Sequence, residues 1–189
     1  NRNRFPALKR LVDVNPEIFG LIFCRTKRDT QEVADRLMAE GYSVDALHGD
    51  LSQQQRDRVM DKFRRKKIQL LCATDVAARG IDVKNISHVI HYELPEDIES
   101  YTHRSGRTGR AGEKGESLAI ITDRDKFKIG RIEKIMKTKF SKDTIPNGDL
   151  VCELQLFKLI EEVKTQKIEV SEFAKYKERI LEELSEFSK

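Results

Sequence analysis

The sequence has few of the features that mark secreted, membrane or disulfide-bonded proteins. No apolar run in its 189 residues approaches the ~20 residues that a membrane helix needs. Residues 1–4, Asn-Arg-Asn-Arg, do not form the apolar core of a secretory signal. The three cysteines, Cys24, Cys72 and Cys152, lie far apart, which argues against a disulfide framework and against a zinc site. We therefore expect a cytoplasmic protein with no membrane contact.

A nucleotide-cradling loop is also missing. In a P-loop, a glycine followed by lysine and then serine or threonine holds phosphate groups with backbone amides and the lysine ammonium. None of the ten glycines of this sequence is followed by lysine. We therefore do not expect this chain by itself to cradle a nucleotide.

Charge is abundant but unevenly distributed. Charged residues make up 36% of the sequence and hydrophobic residues 38%, which is consistent with a packed core under a heavily ionised surface. Residues 150–189 contain seven basic and nine acidic side chains, a net charge of −2. Because the whole chain has a net charge of +4, residues 1–149 carry a net charge of +6. A modestly basic body allows a polyanionic partner without requiring one.

Short apolar runs alternate with helical patterns over the first three-quarters of the chain. This alternation, with short connections, predicts an α/β fold in which helices cover both faces of a parallel sheet. In such sheets, ligands bind at the carboxyl ends of the strands. Strands are predicted at 21–24, 43–47, 68–73, 87–92 and 116–122. Helices are predicted from Thr26 to a left-handed cap at Gly41, from a capping box formed by Ser52 and Gln55, at 97–103 and at about 124–136.

The pattern breaks at residues 146–149, where Pro-Asn-Gly-Asp is typical of a turn or linker. We therefore expect a domain at 1–145 and a short all-α extension at 146–189, which is too small to form a core alone. The extension has two apolar stripes at helical spacing: Leu150, Leu154, Phe157, Ile160 and Val163, then Phe173, Tyr176, Ile180, Leu184 and Phe187.

The most specific stretch is segment 103–110, His-Arg-Ser-Gly-Arg-Thr-Gly-Arg, which follows a predicted helix. Arginine is planar, permanently charged and donates hydrogen bonds as a fork, which suits a phosphate group in transfer. The two glycines allow the backbone to turn so that Arg107 and Arg110 emerge on one side. A solvated basic helix end would favour lysine and would not need the glycines.

Segment 73–82 follows the third predicted strand and also carries polar groups suited to a ligand. Thr74 has a short hydroxyl that fits a backbone phosphate, and Gly80 allows close approach to its N–H. Asp82 has a carboxylate suited to a ribose hydroxyl. Taken singly, Asp75 is equally well explained as a helix cap and Asp82 as a turn former, but the ten residues together favour a binding segment.

A third segment follows the second strand, where Gly49 precedes a well-capped helix N-terminus, a natural phosphate seat. The three segments, with Leu-Ile-Phe-Cys-Arg-Thr-Lys at 21–27, resemble the C-terminal RecA-like domain of a DEAD-box RNA helicase. The resemblance runs from about Phe5 to Phe140 with the motifs in order. An arginine segment that begins with His-Arg separates this family from RecQ-like DNA helicases, which begin it with glutamine.

The resemblance implies a role for each matching residue. Arg107 and Arg110 would be arginine fingers that reach the γ-phosphate of ATP, and Asp82 would contact the ATP ribose. His103 would contact the catalytic carboxylates of a partner domain, and Arg104 would brace the cleft. The RNA backbone would run along Arg25, Gly49, Arg56, Thr74, Arg79 and Gly80.

The family places a second RecA-like domain N-terminally, with the P-loop and an Asp-Glu-Ala-Asp sequence that holds magnesium. Neither is present in this sequence. We therefore expect half of a motor that begins in the linker, binds no metal itself and does not hydrolyse ATP alone. The expected cofactor is ATP with Mg²⁺ held by the other domain, and the expected partners are that domain and RNA.

The helices of 150–189 resemble the dimerisation region of bacterial cold-shock DEAD-box helicases, which implies a homodimer. Internal packing of both helices accounts for their apolar stripes equally well. Two alternatives to the motor half are a stand-alone RNA-binding or scaffold module and half of a DNA helicase. A pure binding module would have no need for Arg107 and Arg110.

Overall fold

A computed structural model describes residues 3–109 and 114–165, together with Tyr176 and Arg179. The strands are β1 (Gly20–Phe23), β2 (Val44–Leu47), β3 (Leu70–Ala73), β4 (His88–His91) and β5 (Glu116–Ala119). The helices are α1 (Arg4–Asp13), α2 (Lys27–Ala39), α3 (Gln53–Arg64), α4 (Asp75–Ala78), α5 (Ile98–Ser105), α6 (Lys126–Met136) and α7 (Gly148–Thr165), with a 3₁₀ turn at Asp123–Asp125. Among the residues singled out from the sequence, five lie outside the described part: Arg110 of the arginine segment, and Phe173, Ile180, Leu184 and Phe187 of the second apolar stripe.

The five strands form one parallel sheet in the order β2-β3-β1-β4-β5. Central β1 pairs in register on both sides, with Ile22 opposite Cys72 of β3 and Ile90 of β4. The connection from β1 to β2 runs toward one edge, and all later connections run the other way. Because parallel crossovers are right-handed, the helix of the first connection lies on the opposite face from the later ones. This arrangement confirms the predicted α/β fold with helices on both faces.

Each face of the sheet has its own apolar layer, since successive strand residues point to opposite sides. On one face, Ile22 packs with Leu8 of α1 and Leu37 of α2. On the other, Phe23 packs in a cluster with Phe63 of α3 and with α4. Both faces of the central strands β1 and β3 are therefore buried, which explains why their sequences are apolar runs without alternation.

The predicted helix ends are confirmed by their hydrogen bonds. The side chains of Thr26 and Asp97 each accept a bond from the backbone N–H three residues on, which begins α2 and α5. Ser52 and Gln55 form the predicted capping box at α3. Gly41 follows α2 with φ of +88°, a conformation that glycine adopts without a steric penalty. Local side-chain chemistry therefore sets these helix boundaries.

Helix α1 was not predicted, because the residues before β1 were assigned to a linker. Its buried residues Phe5, Leu8 and Val12 nevertheless have helical spacing. Pro6 lies in the first turn, where its missing N–H would have no partner within the helix. The apolar spacing alone was thus sufficient to predict this helix.

The start of α1 is held at the carboxyl ends of β4 and β5. The Arg4 guanidinium donates to the carbonyl oxygens of Tyr92 and Ile120 at 2.6 and 2.7 Å, and to Asp125 at 2.7 Å. Arg4 is buried. Residues far apart in the sequence are thereby joined at one edge of the sheet.

Helix α7 lies against α1 through polar contacts. Gln155 donates to the Asp13 carbonyl at 2.7 Å, and Lys158 donates to the Pro16 carbonyl at 3.2 Å. By contrast, Phe157 of the predicted apolar stripe is 58% exposed. None of the helices in the described ranges is long and apolar enough to cross a membrane.

Candidate nucleotide and RNA interface

The predicted RNA-binding residues gather at one edge of the sheet, because the strands are parallel and each residue follows a strand end. Arg25 follows β1, Gly49 follows β2, and Arg79 closes α4 after β3. All three are exposed. Arg56 of α3 joins them, since its guanidinium donates to the carbonyl oxygen of Ala77 in α4 at 2.5 Å.

Thr74 and Gly80 shape the loop after β3. Thr74 is buried, and its hydroxyl accepts the N–H of Ala77 at 3.3 Å, so it caps α4. Gly80 has φ of +76°, and a Cβ there would meet no atom within 4 Å. The backbone conformation therefore favours glycine, and the space beside it is open to a ligand.

Carboxylates that the sequence did not reveal lie beside these basic groups. Glu96 Oε1 is 3.2 Å from Arg25 Nη2 and 2.9 Å from Lys128 Nζ. The hydrogen bond and charge of Lys128 lower the pKa of Glu96, so the carboxylate is ionised at neutral pH. A second ion pair joins Asp50 to Lys27, with 2.8 Å between the carboxylate oxygen and Nζ. Part of the basic surface is thus neutralised within this chain.

Two of the predicted nucleotide-binding residues, Arg107 and Asp82, meet on the loop between α4 and β4. The Arg107 guanidinium donates to the carbonyl oxygen of Ile81 at 2.8 Å, which places it beside Asp82. Asp82 is exposed and Arg107 is half-buried. His103 projects into solvent, 4.0 Å from Glu99. Arg110 is not among the described residues, so its position relative to Arg107 stays a prediction.

Of the two described arginines of segment 103–110, Arg104 is the buried one. Its Nε and Nη2 atoms donate to the two carboxylate oxygens of Asp75 at 2.5 and 2.7 Å, and Nη1 donates to the Glu93 carbonyl at 2.7 Å. The guanidinium also lies 5.1 Å from the Phe23 ring centroid. Arg104 therefore joins α5 to α4 and to the loop after β4, as a residue that braces the cleft would.

The partner of Arg104 was not predicted. Asp75 and Arg104 are separated by 29 residues, and no local spacing signals a contact over that distance. Asp75 was instead explained singly as a helix cap. The cap of α4 is the preceding residue, Thr74.

The turn after α5 is fixed by close packing. The Thr108 hydroxyl donates to the carbonyls of Ile86 and Ser87 at 2.5 and 3.2 Å. Gly109 has φ of +66°, which confirms that this glycine turns the backbone. A Cβ on Gly115 would lie 2.0 Å from the Thr108 oxygen, so that position has no room for a side chain.

A buried histidine connects the arginine segment to the sheet. His91 Nε2 lies 3.2 Å from the hydroxyl oxygens of both Ser105 and Ser117. Burial, with a smaller effect of Arg104, lowers the pKa of His91 to about 3, so the ring is neutral. Its ring also stacks on Tyr101 of α5 at 4.7 Å between centroids. This cluster holds the C-terminal end of α5 against β4 and β5.

The described ranges contain no group of three or more His, Cys, Asp or Glu side chains that could hold a metal ion. The cationic groups at the carboxyl edge include Arg25, Arg56 and Arg79. Such groups bind phosphate and sugar oxygens.

Two family comparisons match consecutive parts of the chain. Residues 3–112 match the Helicase conserved C-terminal domain family. Residues 151–189 match a family described as Probable ATP-dependent RNA helicase, helical domain. The two matched ranges lie on either side of the predicted turn at residues 146–149.

Curated relatives are similar over most of the chain. The DEAD-box ATP-dependent RNA helicase CshA of Bacillus cereus is 40% identical over 185 residues, which cover 98% of this chain and 35% of that protein. The probable ATP-dependent RNA helicase MJ0669 of Methanocaldococcus jannaschii is 53% identical over 139 residues, covering 74% of this chain and 38% of that protein. The chain thus spans little more than a third of the length of these relatives.

Solved structures agree with the sequence relatives. The crystal structure of a DEAD box protein from Methanococcus jannaschii matches with a TM-score of 0.71 and 52% identity, over 76% of this chain and 39% of that one. Dbp5 of S. cerevisiae, bound to RNA and ADP BeF3, matches with a TM-score of 0.71 and 34% identity, over 84% of this chain and 42% of that one. The chain therefore belongs to the helicase conserved C-terminal domain family, as the C-terminal RecA-like domain of a DEAD-box RNA helicase.

Proposed function

We propose that this chain supplies arginine fingers for ATP hydrolysis and half of the RNA-backbone surface for ATP-dependent unwinding of RNA duplexes. The observation that carries the proposal is the bond from Arg107 to Ile81, which brings a guanidinium beside Asp82 on the loop between α4 and β4. Arg79, one of the expected RNA contacts, begins the same loop. Phosphate chemistry and strand binding are thereby coupled through one set of loops.

ATP and Mg²⁺ fit this arrangement only in part. Asp82 would contact the ribose, and Arg107 with Arg110 would stabilise charge on the γ-phosphate. The phosphates and the metal ion would rest mainly on an N-terminal RecA-like domain, because no P-loop sequence is present here. His103 would contact the catalytic carboxylates of that domain. When bound, ATP with Mg²⁺ supplies the phosphoryl group and neutralises its charge.

The test of the proposed function is a pair of ATPase assays. The isolated chain should hydrolyse no ATP above background, with or without RNA, because positioning of the phosphates depends on the other domain. Joining it to the N-terminal RecA-like domain of CshA should restore RNA-stimulated turnover and duplex unwinding. RNA-stimulated turnover by the chain alone would contradict the proposal. A joined protein that binds RNA without turnover would favour the binding-module alternative.

RNA binding by this domain should be weak and insensitive to base sequence, since phosphate and sugar contacts carry no sequence information directly. The ion pairs of Glu96 with Arg25 and Lys128 compete with phosphate for these cations. Replacing Glu96 with glutamine should tighten single-stranded RNA binding by up to about fivefold, the scale of an exposed ion pair. Fluorescence anisotropy at low salt measures the change.

The matched control for this substitution is Glu32→Gln, which removes one exposed carboxylate from α2. It alters the net charge equally but leaves Arg25 and Lys128 paired. Equal gains in the two variants would mean that only net charge matters. A loss of RNA affinity in Glu96→Gln would show that Glu96 orients Arg25 instead of competing for it.

We propose that residues 146–189 form a helical extension through which two copies associate. Support comes from Leu156, Phe157 and Leu159 of α7, which are 57–58% exposed, and from Tyr176, which is 58% exposed. Light scattering over a concentration series should show dimers of the full chain and monomers of a chain that ends near Pro146. A strictly monomeric full chain would show that these side chains are covered within one copy.

We also propose a cytoplasmic location. The free thiols of Cys24 and Cys72, both buried, support it because neither forms a disulfide.

A further inference from the structure

The first turn of α6 presents an aromatic ring to solvent. Phe127 is 83% exposed, more than any other large hydrophobic side chain in the described part of the chain. Its helix neighbours Ile129 and Ile132 pack in the cluster under α5, so packing of this helix does not use Phe127. A phenylalanine side chain loses about 1.5–3 kcal/mol of burial free energy when it stays exposed. The ring is therefore available for contact with a partner.

Ionic contacts place this turn beside the predicted RNA path. Lys128, the residue after Phe127, reaches the same carboxylate oxygen of Glu96 as Arg25 does, at 2.9 and 3.2 Å. Arg25 is one of the residues expected to contact the RNA backbone. The start of α6 and the loop after β1 are thus neighbours on one surface, although about 100 residues separate them in the sequence.

The surroundings of the ring are basic. Segment 123–131 carries four basic side chains against two carboxylates, a net charge of +2. Both carboxylates are engaged: Asp125 by buried Arg4 at 2.7 Å, and Asp123 by Lys126 at 2.7 Å. Proteins that bind single strands combine cations that follow the backbone with aromatic rings on which bases stack. The start of α6 has both elements.

We propose that Phe127 is a base-stacking platform which, with Lys128 and Arg25, extends the path of single-stranded RNA along the carboxyl edge. The inference rests on the RNA-binding function proposed above. Stacking tolerates every base, so the platform adds affinity without sequence preference. A protein partner fits less well, because the cores of protein interfaces are depleted in lysine.

The absence of tryptophan from the sequence allows a direct test. In the full chain, the Phe127→Trp variant provides a single reporter, whose fluorescence should be quenched by an oligoadenylate of about 12 nucleotides. Phe127→Ala should weaken binding of that RNA by about 5- to 100-fold. It should leave the slope of log affinity against log salt unchanged, since no phosphate contact is lost. Lys128→Gln should instead lower the slope by ~0.7.

Ile135→Ala is the matched control, because Ile135 is an exposed apolar residue two turns along the same helix; it should bind RNA like the original chain. The platform is wrong, and the RNA path stands, if Arg25→Ala weakens RNA binding while Phe127→Ala binds RNA like the original chain. In that case RNA should also leave the fluorescence of Phe127→Trp unchanged. If Arg25→Ala and Arg56→Ala also have no effect, the proposed RNA path itself is wrong. A fluorescence change on adding an N-terminal RecA-like domain, but not RNA, would identify a domain contact and overturn the platform.

Discussion

Replacing Arg107 with alanine should lower ATP turnover by ~10³-fold or more, the scale of arginine fingers, in a protein that joins this chain to an N-terminal RecA-like domain. The guanidinium neutralises charge that develops on the phosphoryl group in transfer, and no neutral side chain can do this. ATP affinity should change much less, because the base and phosphates rest mainly on the other domain. Steady-state turnover at saturating RNA and a separate nucleotide-binding titration measure the two effects.

Two further variants separate this role from RNA binding and from folding. Arg107→Lys keeps the charge but loses the fork, so it should remain close to the alanine variant. Arg79→Ala, at the RNA edge, should weaken RNA binding and recover turnover when RNA is saturating. Since Arg107 also bonds to the Ile81 carbonyl, each variant needs a thermal unfolding curve. Retention of more than about a tenth of the original turnover by Arg107→Ala would contradict the finger role.

Replacing Asp75 with alanine should destabilise the domain by about 3 kcal/mol, because it leaves a buried guanidinium without its carboxylate. The Arg104 side chain is 2% exposed and, among the described residues, would retain the Glu93 carbonyl and the Phe23 ring as direct partners. The Asp75 side chain is 36% exposed, which places the expected loss at the lower end of the range for buried pairs. Urea unfolding should show a lower midpoint with an unchanged slope.

Two further variants distinguish loss of the Asp75–Arg104 ion pair from the mere loss of one negative charge. Asp57→Ala removes an exposed carboxylate from α3 and should alter the free energy of unfolding by less than about 0.5 kcal/mol. Adding Arg104→Met to Asp75→Ala removes the uncompensated charge and should recover part of the lost stability. A loss below about 1 kcal/mol in Asp75→Ala would show that solvent replaces the carboxylate, and that the brace depends on other contacts.

The elements with strong local signals were predicted from the sequence. The capping box at Ser52, the cap at Thr26 and the turn at Gly41 depend on contacts within a few residues. They can therefore be recognised from the sequence without knowledge of the fold. Predicted strand positions agree with the structure to within three residues at each end. Helix α1 was missed although Phe5, Leu8 and Val12 have helical spacing, because the residues before β1 were assigned to a linker.

The sequence by itself determined the parallel sheet and the order of the candidate binding segments along it. These follow from periodicity, from caps and from the rule that ligands bind at carboxyl strand ends. The roles of individual residues come from the resemblance to DEAD-box helicases and stay predictions. Only the tertiary structure decided which charges are free to bind and which are paired. Glu96 meets Arg25 and Lys128, and Asp75 meets Arg104. Such contacts join residues tens of positions apart, and their geometry arises when the sheet brings its loops to one edge, which no local pattern encodes.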